Sequence, residues 1–265
     1  MNHDLIIKTT NRVAIYATGC LIYWVFVFLT ITIFDLRIFR ERMTDMFFLS
    51  LLGIFAILGG AIILNVMSNL SKISSAVSAS PQKESSKSKT KWQLTLLFIS
   101  FPLIAACLFI GNELSIQNKK SLLISSAERL ISENQPTLAL LADYKFSIEF
   151  IKQSEKSLNI INKIDSNFPE VMIITPDTID GKKLFLGFGG KQYHDEKENT
   201  EKSAYIYSTT HAERDYLSRV FFGTEVNYRF HSEKGNYQLY FPTTVNGKRM
   251  VLYFSDFQRY GKLGS

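Results

Sequence analysis

The chain has 265 residues and a formal net charge of +6, and 46% of its residues are hydrophobic, a composition that excludes a disordered chain, a collagen-like repeat and a small disulfide-stabilised protein. Ten of the 30 Lys and Arg residues and five of the 24 Asp and Glu residues lie in residues 1–112, so the net charge is +5 there and +1 in residues 113–265. Because the larger polar part is nearly neutral, we expect no nucleic-acid partner.

Three long stretches without a charged residue predict transmembrane helices. They cover residues 13–34, 46–67 and 93–111, and they are 22, 22 and 19 residues long. An apolar helix needs about 20 residues to cross the hydrocarbon core of a bilayer. The first stretch is too long for the apolar part of a signal peptide and lacks a small-residue cleavage site. We therefore expect residues 1–112 to be a three-span anchor whose partner is the lipid bilayer.

The segments between the spans predict their connections and orientation. Residues 35–45 form a tight loop that carries three Arg, whereas residues 68–92 are rich in Ser and Lys and predict a flexible linker. Seven Lys and Arg residues lie on the side of the N-terminus and the linker, and five lie on the other side. Since basic residues are retained in the cytoplasm, the N-terminus is expected there and residues 113–265 outside, in the plasma (inner) membrane of a bacterial-type cell.

The spans themselves favour a structural role over transport. None of them contains Asp, Glu, Lys, Arg or His, the residues that form proton and ion pathways. Gly53, Ala56 and Gly60 are small residues at a spacing that permits close helix packing. Two interpretations remain open for them, packing of a helical hairpin within the chain and self-association into a homo-oligomer.

The remainder of the chain predicts a soluble α+β domain. Residues 113–165 have apolar residues at helical spacing and form a helical stalk, with a break at Pro136. Residues 166–265 predict a mainly antiparallel sheet of five or six strands with one inserted helix, Thr210 to Phe222. The expected strands are 170–175, 183–188, 204–208, 225–231, 237–242 and 250–255. Asn246-Gly247 predicts a hairpin, because both residues tolerate positive φ.

A membrane-proximal helix that leads into a small sheet domain resembles the PAS-like sensor modules found outside bacterial membranes. The resemblance rests on the order of the elements, and it implies a domain that binds a ligand or a partner.

One cluster of titratable residues suggests chemistry. His211, Glu213 and Asp215 follow Thr210, and His211 and Asp215 are four residues apart, so they share a helix face as a His–carboxylate pair would. The favoured interpretation is a helix start with Thr210 and Glu213 as a capping box. No second cluster has metal-ligand spacing, so neither a metal nor a cofactor is predicted.

Two further segments suggest a site less strongly. Residues 187–191 contain three Gly and a Lys, as a phosphate-binding loop would, but they lack its spacing and predict the end of a strand. The charged residues 194–199 predict a solvated loop.

Aromatic and basic residues crowd the predicted sheet and form a candidate partner-binding surface. Such residues are enriched at protein interfaces, although ordinary strand propensity would also place Tyr here. The candidates are Tyr228, Arg229, Tyr240, Lys248, Arg249, Tyr253 and Arg259.

Together these features predict a non-enzymatic subunit of an envelope membrane complex whose partners are other membrane proteins. One alternative is a membrane-tethered cytoplasmic effector or regulatory module of the defence or exclusion type. The other is a hydrolase that uses His211 with Glu213 or Asp215.

Overall fold

The structure is a computed structural model that describes residues 3–38, 41–76, 90–164, 169–189 and 201–260. The described residues form six α-helices and five β-strands. The helices are α1 (His3–Ile33), α2 (Glu41–Ala76), α3 (Thr90–Glu133), α4 (Gln135–Ala142), α5 (Ile148–Ile164) and α6 (His211–Phe222). The strands are β1 (Glu170–Ile179), β2 (Lys182–Gly189), β3 (Arg229–Glu233), β4 (Asn236–Val245) and β5 (Lys248–Phe257). The chain divides into two compact units, residues 1–115 with 259–265, and residues 116–258.

Three of the helices are long and apolar enough to cross a membrane. The segments that meet this criterion are Ile7–Ile33, Asp45–Leu70 and Phe98–Glu133, and few of their residues are buried inside the protein. Each overlaps one of the three predicted spans. The apolar helices therefore suggest a membrane location.

Within the first unit, α1 contacts both α2 and α3 through aromatic side chains. Trp24 of α1 meets Phe47 of α2 edge-on, and Phe26 of α1 lies 4.7 Å from Phe101 of α3, measured between ring centroids. Just after α1, the backbone N–H of Arg37 donates to Asn112 Oδ1 at 2.7 Å. Interlocking rings and this hydrogen bond hold α1 against its two neighbours.

Helix α2 extends into the segment that was predicted as a flexible linker. α2 continues through Ala76, so residues 68–76 are helical and do not belong to a flexible linker. Residues 77–89 lie outside the described residues, and α3 begins at Thr90. The helix continues because no Pro or Gly interrupts residues 68–76.

The predicted helical stalk consists of three helices. α3 runs from the third span to Glu133, and Pro136 lies in the first turn of α4, where its missing N–H removes no helical hydrogen bond. Leu123, Ala127 and Leu130 are buried, as the helical spacing predicts. Tyr144 falls within the segment 113–165 that was predicted as helical, but it lies in the turn between α4 and α5. The chain breaks here a second time, because the side chain of Tyr144 turns to meet Asp177 of β1.

The five strands form one curled antiparallel sheet in the order β2-β1-β5-β4-β3. Its three hairpins have the same two-residue turn, in which both residues have positive φ. The turn residues are Asp180-Gly181, Lys234-Gly235 and Asn246-Gly247. The hairpin predicted at Asn246-Gly247 is therefore confirmed.

One predicted strand is absent, and another begins later than predicted. Residues 204–208 do not form a strand: Lys202–Tyr205 is a 3₁₀ turn, and only Ile206 bridges to β2, at Leu186. The buried ring of Tyr205 stacks on Phe188 and draws the chain out of the extended conformation. β3 begins at Arg229 rather than at residue 225.

β1 is longer than the predicted strand 170–175, and Pro176 lies inside it. β1 pairs with β5 only from Glu170 to Ile174, and beyond that residue it pairs with β2 alone. A proline without an N–H donor is tolerated there because one side of the strand is no longer paired.

Helices cover both faces of the sheet. On one face, Tyr216, Leu217 and Val220 of α6 pack into a core with residues of four strands. On the other face, α4 and α5 pack against the sheet, and Lys119 of α3 forms an ion pair with Asp256 of β5. The fully buried sheet residues of this second face include Ile173, Leu186, Leu239, Leu252 and Phe254. The result is a three-layer α–β–α domain.

Candidate functional site

The start of α6 is held by reciprocal hydrogen bonds between Thr210 and Glu213. Thr210 Oγ1 accepts from the backbone N–H of Glu213 at 3.4 Å, and Glu213 Oε2 accepts from the backbone N–H of Thr210 at 2.8 Å. This is the predicted capping box, and the helix ends at Phe222 as predicted, with Gly223 as its C-cap. The arrangement fixes the direction of every side chain in the first turn of α6.

Glu213 also begins a chain of hydrogen bonds that runs beneath α6. Its Oε1 accepts from the Tyr240 hydroxyl at 2.8 Å, and the hydroxyls of Tyr240 and Tyr207 lie 2.9 Å apart. Burial raises the pKa of Tyr240 well above its usual range, as it does for Tyr216 and Tyr253. Burial also acts to raise the pKa of Glu213, but the hydrogen bonds from Thr210 and Tyr240 outweigh it, and the pKa is lowered. The cluster is therefore a set of neutral phenols around one carboxylate.

His211 and Asp215 lie together, as the helical spacing predicts, but Glu213 does not join them. His211 Nδ1 is 3.0 Å from Asp215 Oδ2, and the two side chains are 92% and 54% exposed. Glu213 instead faces Thr210 and Tyr240. A His–carboxylate pair in open solvent lacks the water-excluding surroundings that strengthen catalytic electrostatics. The geometry therefore gives the predicted hydrolase site little support.

The predicted partner-binding surface separates into buried, structural and exposed residues. Tyr240 and Tyr253 are 0% and 8% exposed, so they belong to the core and not to a surface. Arg249 donates through Nη1 to the carbonyl oxygens of Val220 at 2.8 Å and Gly223 at 2.7 Å, which caps the end of α6.

Lys248 forms an ion pair with Asp143 near α4, and the hydrogen bond from Lys248 lowers the pKa of that carboxyl. Arg259 is exposed and lies in the other compact unit, so it does not belong to the same surface within residues 116–258. Tyr228 and Arg229 remain, and both lie beside α6. The alternation of residues along a strand could not show which of the predicted surface residues are buried, because helices cover both faces of the sheet.

Tyr228 and Arg229 line an open groove between α6 and residues 225–230. The groove has a volume of about 600 Å³. Its walls carry aromatic rings, an amide, carboxylates and guanidinium groups; they include Asp215, Tyr216, Arg219, Asn227, Tyr228 and Arg229. The Tyr216 hydroxyl donates to the carbonyl oxygen of Asn227 at 2.8 Å and so ties the two walls together. Asp215 was predicted as a partner of His211 and not as part of a groove, whereas Arg219 and Asn227 were not singled out in the sequence, where only the i, i+4 spacing from Asp215 marks Arg219.

A second polar cluster was also missed. Asp177 of β1 accepts from the Tyr144 hydroxyl and forms an ion pair with Lys202 at 2.8 Å. Burial acts to raise the pKa of Asp177, but the hydrogen bonds from Lys202 and Tyr144 outweigh it, so the pKa is lowered. These three residues lie far apart in the sequence, and the cluster ties the turn before α5 to the sheet.

The glycines near the end of β2 are explained by packing. A Cβ atom at Gly189, where φ is +88°, would lie 2.3 Å from Leu158 Cδ1 of α5, and one at Gly187 would lie 2.7 Å from Met172 Sδ. The strand predicted over 183–188 is present, while residues 190–191 and the charged segment 194–199 lie outside the described residues. Among the residues that are described, no group of three or more His, Cys, Asp or Glu could hold a metal ion.

The small residues of the second span do not pack against other described residues. Gly53, Ala56 and Gly60 are exposed, and no atom of a described residue beyond the local helix lies within 4 Å of a Cβ atom placed at either glycine. Packing of the α1–α2 hairpin therefore does not account for them. Self-association remains a prediction.

Comparison of the chain with protein families, with curated proteins and with solved structures finds no match in any of the three.

Proposed function

We propose that the chain is a non-enzymatic subunit of a bacterial-type envelope membrane complex, and that its C-terminal domain binds a protein partner. The observation that carries the proposal is the combination of three apolar helices with a sheet domain packed on both faces. Such a domain has room for a partner on its surface, in the groove beside α6, rather than for a ligand enclosed in its core.

The spans support an anchoring role. The charge-free stretches 13–34, 46–67 and 93–111 contain no Asp, Glu, Lys, Arg or His, the residues that usually form pathways for ions or protons. The exposed small residues of α2 would let a second membrane helix approach closely, either from another subunit or from a second copy. Signals or forces would then pass to other membrane proteins of the complex.

We also propose that the C-terminal domain is a PAS-like module. Its support is the order of the elements: a membrane-proximal helix, an antiparallel hairpin, an inserted helix α6 and three further strands. Such a module would respond to the binding of its partner.

The subunit character is tested by gentle extraction from the native membrane. We expect the chain to migrate in native gels or mass photometry as part of a larger assembly. A single-copy species with no associated protein, under a detergent that preserves a known complex of the same membrane, would refute the proposal.

The orientation is tested by fusing topology reporters after Ser265. We expect alkaline phosphatase to be active there and a green fluorescent protein to be dark, because the domain is proposed to be outside. Replacing Lys83, Lys87 and Lys89 by Gln leaves four basic residues against five, so the orientation should become mixed or inverted. Fluorescence in the unmodified chain would favour the alternative, a membrane-tethered cytoplasmic effector or regulatory module.

The hydrolase alternative requires the imidazole of His211. Its side chain is almost fully exposed, so His211→Ala should leave folding unchanged. We expect the cellular phenotype of a deletion strain to be complemented fully by this variant. A folded His211→Ala protein that fails to complement would instead support the hydrolase.

A further inference from the structure

The acidic groups of the groove between α6 and residues 225–230 already have donors within the chain. The carboxylate of Asp215 lies 3.0 Å from His211 Nδ1. Glu225 Oε1 accepts from the backbone N–H of Asn227 at 3.0 Å. The hydrogen-bonding capacity of these two carboxylates is therefore partly used.

The two basic groups of the groove differ from each other in this respect. Arg229 donates from one guanidinium nitrogen to the carbonyl oxygen of Ala212 and lies over the ring of Tyr216, 5.9 Å from its centroid. The guanidinium of Arg219 makes no hydrogen bond or ion pair with any residue that the structure describes. A guanidinium has five N–H donors and pairs best with a carboxylate, often through two parallel hydrogen bonds. The guanidinium of Arg219 thus has unused N–H donors in the groove, and an anion would accept hydrogen bonds from them.

The shape of the groove favours a chain over a small molecule. The groove is open to solvent, so it would not enclose a compact ligand. Tyr228, which lines the groove, is 41% exposed, so its ring offers apolar contact area beside the guanidinium groups. An extended peptide can place a side chain against each of these surfaces.

We propose that the groove binds an extended acidic segment of a protein partner and that Arg219 and Arg229 hold one of its carboxylates. This inference rests on the proposed function of the chain as a partner-binding subunit. Arg219 supplies attraction and specificity, because its guanidinium is uncommitted, whereas Arg229 also braces α6 against β3.

The test uses the full-length chain in mild detergent and fluorescein-labelled peptides of alternating Ala and Glu, four of each. Anisotropy should show saturable binding, and the matched peptide with Gln in place of Glu should bind at least about tenfold more weakly, a difference of about 1.4 kcal/mol. Arg219→Gln should weaken binding of the Glu peptide by a similar factor. Arg214→Gln is the matched control, because Arg214 is exposed on the same helix but does not line the groove, and it should change nothing.

Several outcomes would overturn the inference. They are the absence of binding to the unmodified chain, equal binding of the Glu and Gln peptides, and equal effects of the Arg219 and Arg214 substitutions. A further one is binding only to nanodiscs that contain phosphatidylglycerol, which would make the groove a lipid site. If the extracted chain still migrates in a large assembly, these results remove only the acidic-segment proposal; a lone monomer would remove the proposed function itself.

Discussion

Replacing Gly189 by Ala tests whether the glycines of β2 serve packing. Gly189 has φ +88°, and an added Cβ would lie 2.3 Å from Leu158 Cδ1 and 3.2 Å from Leu158 Cβ. Leu158 is fully buried on α5, so it has no space into which to move. The helix and strand would have to separate, or Leu158 would have to leave its rotamer.

The expected cost has two parts. A non-glycine residue in the left-handed region costs about 1–2 kcal/mol, and overpacking of a buried contact costs about 1–3 kcal/mol. The sum is about 2–5 kcal/mol, which lowers the melting temperature by about 5–15 °C for a unit of this size. Gly181→Ala is the matched control: φ there is +75°, but nothing lies within 4 Å, so only the backbone part applies.

The assay is thermal unfolding of the full chain in mild detergent, followed by near-ultraviolet circular dichroism of the buried tyrosines. In a Leu158→Ala background the cost of Gly189→Ala should fall to about that of Gly181→Ala, because most of the clashing atoms are gone. Equal costs for the two glycine substitutions, or a Gly189→Ala cost that Leu158→Ala leaves unchanged, would refute the packing explanation.

Three further predictions use the same unfolding assay. Arg249→Ala should destabilise the domain by about 1–3 kcal/mol, because two carbonyl oxygens at the end of α6 lose their donor, whereas Lys248→Ala, which removes only an exposed ion pair, should have little effect. Thr175→Val should stabilise it by about 1 kcal/mol, since the buried Thr175 hydroxyl has no hydrogen-bond partner among the described residues; a destabilised variant would contradict this. The pKa of Glu213 is lowered in the folded chain from its ordinary 4.5, so the carboxylate contributes fully to the free energy of unfolding above that pH, and this contribution is lost as the pH falls through the folded pKa. In Glu213→Gln the loss of stability on the acid side of the pH profile should therefore be smaller. An unchanged acid side would contradict this role of Glu213.

Local features of the sequence predicted much of the fold. Charge-free runs of about 20 residues predict apolar helices whatever their surroundings, and Asn246-Gly247 predicts a hairpin because few other residue pairs accept positive φ twice. The capping box of α6 is likewise contained in four consecutive residues. The side of the membrane on which the domain lies, the binding of a partner and the self-association of the chain stay predictions. Each depends on molecules outside the chain.

Long-range contacts decided the rest. Residues 204–208 have the composition of a strand, but the ring of Tyr205 packs on Phe188 and leaves a 3₁₀ turn, which no local pattern contains. From the sequence Arg249 was predicted to lie on a partner-binding surface. In the fold its guanidinium donates to carbonyl oxygens at the end of α6.

The candidate site shows the same division. The sequence by itself indicated that the basic residues cluster beside the spans and that residues 113–265 form a nearly neutral folded part, since charge and periodicity are properties of the chain. The tertiary structure alone placed Arg219 and Arg229, ten residues apart, on opposite walls of one groove. The apolar face of α6 packs on the sheet, and this packing sets the rotation of the helix about its own axis. The adjacent polar face of α6 is thereby directed toward the edge strand β3.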